Sequence, residues 1–178
     1  MFGEEGYYKD KIAAALPRAV FGDAALEDRE ITVFERDTDI KEVSAAVNTY
    51  PFFSGRSLVI IKDEKLWGGK DGGEKRKQQQ EELAELLADV PEHCQVLLLG
   101  EKIDKRGKLY KSLLKTAAMV ECKSLKSYQL KPWLDEQAAL RGCRFDYEAS
   151  QTIMEYLSVT DNAPLLLLEQ EIEKLSVY

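Results

Sequence analysis

The chain has 178 residues, of which 44% are hydrophobic and 32% charged, so it can bury a core and does not have the composition of a disordered protein. Its formal net charge of −7 disfavours a stand-alone nucleic-acid-binding protein, because binding phosphates normally needs a basic face. Three widely spaced cysteines and a single histidine disfavour a disulfide framework, a metal centre and a Ser-His-Asp relay. No apolar run approaches the roughly 20 residues of a membrane span, so we expect no membrane contact. Glu4 and Glu5 stand where a signal peptide would be basic, so we expect a cytoplasmic protein with reduced thiols and no metal.

Helical and strand patterns alternate over residues 1–124. The run SLVIIK at 57–62 is continuously apolar before its lysine, which is typical of a strand buried on both faces of a parallel sheet. Helices between buried strands predict an α/β domain with a parallel, doubly wound sheet. In chain order, the predicted elements are a helix over 7–20 that bends or ends near Pro17, a strand over 31–35, a helix over 40–50 capped by Asp39, a strand over 57–62, a helix containing Leu83, Leu86, Leu87 and Val90, a strand over 94–100, a helix over 108–117 and a last strand over 118–123.

The strand pattern stops after Lys123, and residues 125–178 are predicted to form a separate three-helix domain. Proline and glycine near the ends of these segments match the positions that helices tolerate best. The predicted helices are one over 128–141 capped by Ser127 and closed by Gly142, one from Asp146 to about Leu157, and one capped by Asp161 or Asn162 with Pro164 in its first turn and Leu165, Leu168, Ile172 and Leu175 on one stripe.

The loop before the first helix lies where a phosphate-binding loop would be expected. Such a loop needs the pattern G-x-x-x-x-G-K-[ST], and counting from Gly3 the second glycine position holds Tyr8. Lys9 stands at the lysine position, but Asp10 replaces the hydroxyl that would contact Mg²⁺, adding negative charge where phosphate should bind. We interpret the loop as a degenerate, non-functional phosphate loop and expect no cofactor.

Two further anion or metal sites are weaker alternatives. Asp63 and Glu64 follow an apolar strand and could bind magnesium, although strands commonly end in solvated charges. The glycine-rich segment 68–73, with four nearby basic residues, could form a second anion loop, but its spacing matches no defined motif. A mobile linker is the simpler interpretation; the basic residues are Lys70, Lys75, Arg76 and Lys77.

Four segments occur in a fixed order between matching secondary-structure elements: FGEEGYYKDKI (2–12), NTYPFFSGRSLVIIKD (48–63), DKRGKLYKSLLK (104–115) and LEQEIEKLSVY (168–178). Their ordered combination resembles the delta subunit of the bacterial DNA polymerase III clamp loader, although no single segment is specific. The resemblance covers essentially the whole chain. It implies an AAA+-like, P-loop NTPase fold over residues 1–124 and a three-helix lid over residues 125–178. A C-terminal collar domain, which such proteins carry, would be absent from this chain.

The resemblance also implies a function without catalysis. Members of this family do not hydrolyse ATP, which agrees with the departures at Tyr8 and Asp10. They bind the ring-shaped sliding clamp, the beta subunit, and open it for loading onto primed DNA. The implied partners are therefore the clamp, the gamma/tau and delta prime subunits of the loader, and DNA within the assembly.

The implied clamp-binding residues are Pro51, Phe52 and Phe53, at the end of the helix before the second predicted strand. The position of Pro51 often holds leucine in the family. Two interpretations of the phenylalanine pair compete: one of them is core, as is common where a helix turns into a strand, or the pair forms an exposed apolar plug. We expect one ring to be mostly buried and the other to face outward.

The strongest basic cluster lies in segment 104–115. Lys105, Arg106 and Lys108 could contact DNA or a neighbouring subunit, but a solvated helix face is the simpler interpretation. Two other functions remain open from the sequence. One is an ATPase that uses Lys9, Asp63 and Glu64; the other is a loader-like scaffold with no affinity for the clamp.

Overall fold

The computed structural model describes residues 1–67, 73–158 and 164–177. The chain divides into two compact units, Met1–Cys122 and Lys123–Tyr178. The first unit alternates helices and strands, as predicted. Its elements are α1 (Gly6–Phe21), β1 (Glu30–Phe34), α2 (Ile40–Asn48), β2 (Ser57–Ile61), α3 (Gly73–Ala88), β3 (Cys94–Leu98) and α4 (Lys108–Thr116).

The three strands form a parallel sheet in the order β1-β2-β3. Their first residues, Glu30, Ser57 and Cys94, are aligned side by side. All five residues of β2 are buried, which confirms the prediction of a strand covered on both faces. Since successive side chains of a strand point to opposite faces, Leu58 and Ile60 join one apolar cluster and Val59 and Ile61 join the other.

Helices cover both faces of the sheet. The end of α1 contributes Val20 and Phe21 to the cluster around Leu58. On the opposite face, Val43 and Val47 of α2 are fully buried together with Leu83 of α3. Leu87 belongs to the same cluster, and Leu86 and Val90 pack against it, which confirms the pattern predicted for α3.

The first helix spans Gly6–Phe21, which confirms the helix predicted over 7–20. It does not end at Pro17, which lies inside it, and Gly22 follows its last residue with a φ of 60°. A proline inside a helix removes one backbone hydrogen bond. Burial of Val20 and Phe21 in the last turn offsets that loss, so packing decides where the helix ends.

The predicted strand over 118–123 is wrong. Within this segment the structure has only a bridge between Phe2 and Glu121, and Phe2 forms a second bridge with Gly100. The amide of Phe2 donates to the Val120 carbonyl at 3.0 Å, and the Cys122 amide donates to the Phe2 carbonyl at 2.7 Å. A groove of about 590 Å³ is lined by residues 116–120 together with all five residues of β3. With only Phe2 bridging this segment, a strand over 118–123 does not form.

The second unit contains α5 (Ser127–Leu140), α6 (Tyr147–Ser158) and α7 (Leu165–Leu175). Ser127 is the first residue of α5 rather than its cap, and the amide of Lys126 donates instead to the side chain of Gln129 at 3.0 Å. Asp146 caps α6 as predicted, accepting the Ala149 amide at 2.8 Å. Gly142 follows α5 with a φ of 73°. Asp161 and Asn162, predicted to cap the third helix, lie outside the described residues.

The stripe predicted for α7 is only partly buried. Leu165 and Ile172 are buried, whereas Leu175 is 63% exposed. Between the helices, Arg141 binds the carboxylate of Glu169 at 3.1 Å, and both side chains are largely buried. Across the described parts of the chain, no helix combines the length and the apolar character needed to cross a bilayer.

We expect Leu83→Ala to lower the unfolding free energy of the first unit by about 2–5 kcal/mol, because it removes a fully buried side chain and leaves a cavity. Urea unfolding followed by Trp67 fluorescence, in a Trp133→Phe background, isolates this unit. Leu26→Ala is the control: Leu26 is 78% exposed, and its truncation should change stability by no more than about 0.5 kcal/mol. Equal effects of both changes would contradict the packing described.

Candidate functional site

The most exposed aromatic cluster of the first unit lies on the segment that joins α2 to β2. We call residues 49–56 the aromatic turn. It begins where the Thr49 amide donates to the Ala45 carbonyl at 2.9 Å, closing the last turn of α2. Pro51 follows and cannot extend the helix, because it has no N–H. The turn therefore lies at the edge of the sheet from which the parallel strands start.

Both phenylalanines of the turn face solvent. Phe52 is 86% exposed and Phe53 is 67% exposed, so the expectation that one ring is mostly buried is wrong. Pro51 takes the inward position instead, with its side chain fully buried. The two rings contact each other edge to face, with centroids 5.0 Å apart and an interplanar angle of 78°. Each ring covers part of the apolar surface of the other, but the pair lies outside the core.

Several contacts hold the turn in this conformation. Oε1 of Glu30 accepts the amides of Phe52, at 2.6 Å, and of Phe53, at 3.2 Å. The Ser54 hydroxyl donates to the Arg56 carbonyl at 2.7 Å. Gly55 has a φ of 65°, a left-handed conformation that side chains disfavour, so glycine suits the reversal into β2.

An aromatic contact fixes the beginning of the turn. The ring of Tyr50 lies 5.1 Å from that of His93, which precedes β3. The His93 carbonyl also accepts the Ser57 amide at 2.8 Å, so the two strand starts are tied together beside the turn. Sequence reasoning missed Glu30 and His93, because both lie far from the turn along the chain and neither belongs to a local motif.

The loop before α1 lies at the opposite edge of the sheet. Nζ of Lys9 donates to the carbonyls of Gly3, at 2.8 Å, and Gly100, at 3.3 Å. Gly3 has a φ of 133°, and a Cβ there would lie 2.0 Å from the Cys122 carbonyl oxygen. The Tyr8 ring packs on Tyr7, with centroids 5.2 Å apart. The ammonium group of Lys9 thus contacts backbone carbonyls of its own unit.

The carboxylates that could have bound magnesium also contact the backbone. Asp63 is buried and accepts the Thr38 amide at 2.9 Å, which ties the end of β2 to the turn before α2. Glu64 accepts the Glu101 amide. Asp10 is exposed on α1. Of the glycine-rich segment, residues 68–72 lie outside the described residues.

Three basic residues of segment 104–115 are paired with acidic side chains. Lys105 lies 2.8 Å from Glu121, and this hydrogen bond raises the pKa of Lys105. Two more pairs follow the same pattern: Lys108 with Glu81 at 2.8 Å, and Arg106 with Asp104 at 3.6 Å. Each pair lowers the local net positive charge, which weakens the case for a strong phosphate-binding surface at this position.

Comparisons with known proteins agree on one family. The family model described as DNA polymerase III, delta subunit, matches residues 1–123. The DNA polymerase III subunit delta of Bacillus subtilis (strain 168) is 28% identical over 181 residues, covering 100% of this chain and 51% of that protein. A solved structure of the Bacillus subtilis DNA clamp loader delta protein aligns over 99% of this chain and 51% of its own, with a TM-score of 0.73 and 26% identity. The chain thus spans about half the length of these relatives.

We expect Lys9→Met to lower the unfolding free energy of the first unit by about 1.5–3 kcal/mol, because two carbonyls lose a charged donor. Lys41→Met, at an exposed position on α2, is the matched control and should have little effect.

A titration with a fluorescent ATP analogue should show no saturable binding to the unmodified chain. Saturable binding that Lys9→Met abolishes without loss of stability would contradict this role for Lys9.

Proposed function

Since the chain belongs to the DNA polymerase III delta-subunit family, we propose that it binds the sliding clamp and opens its ring for loading onto primed DNA. In this role it acts as a non-catalytic subunit of the clamp loader in cytoplasmic DNA replication. The observation that carries the proposal is the pair of exposed rings, Phe52 and Phe53, on a turn fixed at both ends.

The ring pair has the size and chemistry of a binding hot spot. Burying one phenylalanine in a partner contributes about 1.5–3 kcal/mol, so two rings supply roughly 3–6 kcal/mol before ordering costs are subtracted. Those costs are small here because the rings are already exposed together and the turn is hydrogen-bonded. Pro51, being buried, anchors the turn and contributes no surface of its own.

Ring opening needs more than tight binding. A ligand shifts an equilibrium only by its difference in affinity for the two states. The aromatic turn therefore provides the attachment, and further contacts from α2 favour the opened clamp. The turn and α2 are suited to act together, because the Thr49 hydroxyl donates to the Ala45 carbonyl at 2.7 Å and so joins the turn to the helix end.

The proposal that this chain is non-catalytic is supported by the backbone hydrogen bonds that polar side chains make at the end of the sheet where the strands end. Lys9 donates to backbone carbonyls, and Asp63 and Glu64 accept backbone amides. We propose that the gamma/tau subunits supply ATP binding and that delta prime completes the ring. DNA within the assembly is a further proposed partner, and the paired residues Lys105, Arg106 and Lys108 make only a modest contribution to it.

Two alternatives make different predictions. An ATPase would bind nucleotide as an isolated chain, through Lys9, Asp63 and Glu64. A scaffold of the same fold would leave the aromatic turn without a partner. Mixing the chain with purified sliding clamp separates the scaffold from the proposed function.

We expect Phe52→Ala to weaken clamp binding by about 2 kcal/mol, or roughly 30-fold, because it removes the more exposed ring of the pair. Calorimetric titration with purified sliding clamp measures this change. The melting temperature should stay unchanged, since an 86% exposed side chain contributes little to the core.

Tyr128→Ala is the control for a general loss of exposed aromatic surface. Tyr128 lies at the start of α5 in the second unit and is 72% exposed. Its truncation should leave clamp affinity within about twofold of the unmodified chain. The proposed function would be rejected by a Phe52→Ala variant that binds the clamp as tightly as the unmodified chain does.

A further inference from the structure

We propose that Glu30 is a positioning residue that holds the aromatic turn in the conformation that binds the clamp. The inference rests on the proposed function and concerns how the two rings come to be presented. Glu30 is the first residue of β1, and it is aligned with Ser57, the first residue of β2. Its backbone belongs to the sheet, while its side chain crosses to the turn that precedes β2.

One carboxylate oxygen of Glu30 accepts hydrogen bonds from two consecutive backbone amides. Oε1 lies 2.6 Å from the Phe52 nitrogen and 3.2 Å from the Phe53 nitrogen. Hydrogen bonds to an ionised acceptor are roughly twice as strong as neutral ones. Two neighbouring N–H groups that point at one anion also fix the backbone between them, as in other small anion-binding turns. The carboxylate therefore determines the orientation of the peptide units that carry both rings.

Holding the amides directs the side chains. With both amides held by Glu30, the side chains of Phe52 and Phe53 remain 86% and 67% exposed. Pro51, whose side chain is fully buried, anchors the beginning of the same segment. Glu30 and Pro51 together leave the edge-to-face pair of Phe52 and Phe53 as the outward face.

This arrangement lowers the ordering cost of binding. A turn without the carboxylate samples several backbone conformations, and each residue that must be fixed on binding costs free energy. A turn already in the bound conformation avoids that cost, which appears as affinity. Glu30 thus acts on clamp binding through the rings, without contacting the clamp itself.

The test measures clamp affinity for Glu30→Ala, Glu30→Gln and a matched control, Glu35→Ala. Glu35 follows the other end of β1 and binds Lys62 at 3.2 Å, so its loss removes an exposed carboxylate of the same strand without touching the turn. We expect Glu30→Ala to weaken binding about tenfold. Glu30→Gln keeps an acceptor oxygen, so its clamp affinity should stay within about threefold of that of the unmodified chain. The clamp affinity of Glu35→Ala should match that of the unmodified chain.

Two readouts distinguish positioning from a general role in stability. Hydrogen exchange at the Phe52 and Phe53 amides should accelerate in Glu30→Ala, while exchange in β2 stays unchanged. In a Phe52→Ala, Phe53→Ala background, Glu30→Ala should have no further effect on affinity, because there are no rings left to orient.

Four outcomes would overturn the inference. Unchanged affinity in Glu30→Ala, with Phe52→Ala still weakening binding, removes Glu30 but leaves the proposed function intact. A tenfold loss that persists in the background lacking both rings shows that Glu30 acts elsewhere. Accelerated exchange throughout β2 assigns the effect to the fold. If Phe52→Ala itself leaves binding unchanged, the proposed function fails first, and the inference fails with it.

Discussion

Burial of β2 on both faces is the constraint from which the rest of the first unit follows. A strand covered on both sides needs helices above and below the sheet, and α1 covers the face opposite to α2 and α3. The segments that lead into and out of β2 therefore lie at the two ends of the strands, one where the strands begin and one where they end. The aromatic turn is the entry segment, and Asp63 lies in the exit segment.

The two edges differ in how their functional groups are used. At the edge where the strands end, Lys9 and Asp63 form hydrogen bonds to the backbone. At the edge where the strands begin, apolar rings stand in solvent and have no place in the core. Polar groups bound to the backbone stabilise a fold, whereas clustered exposed apolar surface is typical of an interaction site. Among the described residues of this unit, Phe52 is the most exposed large hydrophobic side chain.

Three carboxylates of the first unit accept backbone amides from distant segments. Glu30 joins β1 to the aromatic turn, Asp63 joins the end of β2 to the segment before α2, and Glu64 joins that end to Glu101. Each bond links segments that are far apart in the chain. Part of the acidic excess behind the net charge of −7 therefore has a structural role. Some acidic side chains accept hydrogen bonds from backbone amides between elements, where no helix or strand provides the acceptor.

The sequence by itself determined the order of helices and strands, the two-faced burial of β2 and the position of the phenylalanine pair, because hydrophobic periodicity and turn residues are local signals. It did not determine the absence of a strand at 118–123, since that depends on what packs beside the segment. Only the tertiary structure decided that Pro51, rather than a phenylalanine, turns inward. The tertiary structure alone brought the Glu30 carboxylate to the amides of Phe52 and Phe53. These amides lie 22 and 23 positions from Glu30 along the chain, and contacts over such separations leave no periodic pattern in the sequence.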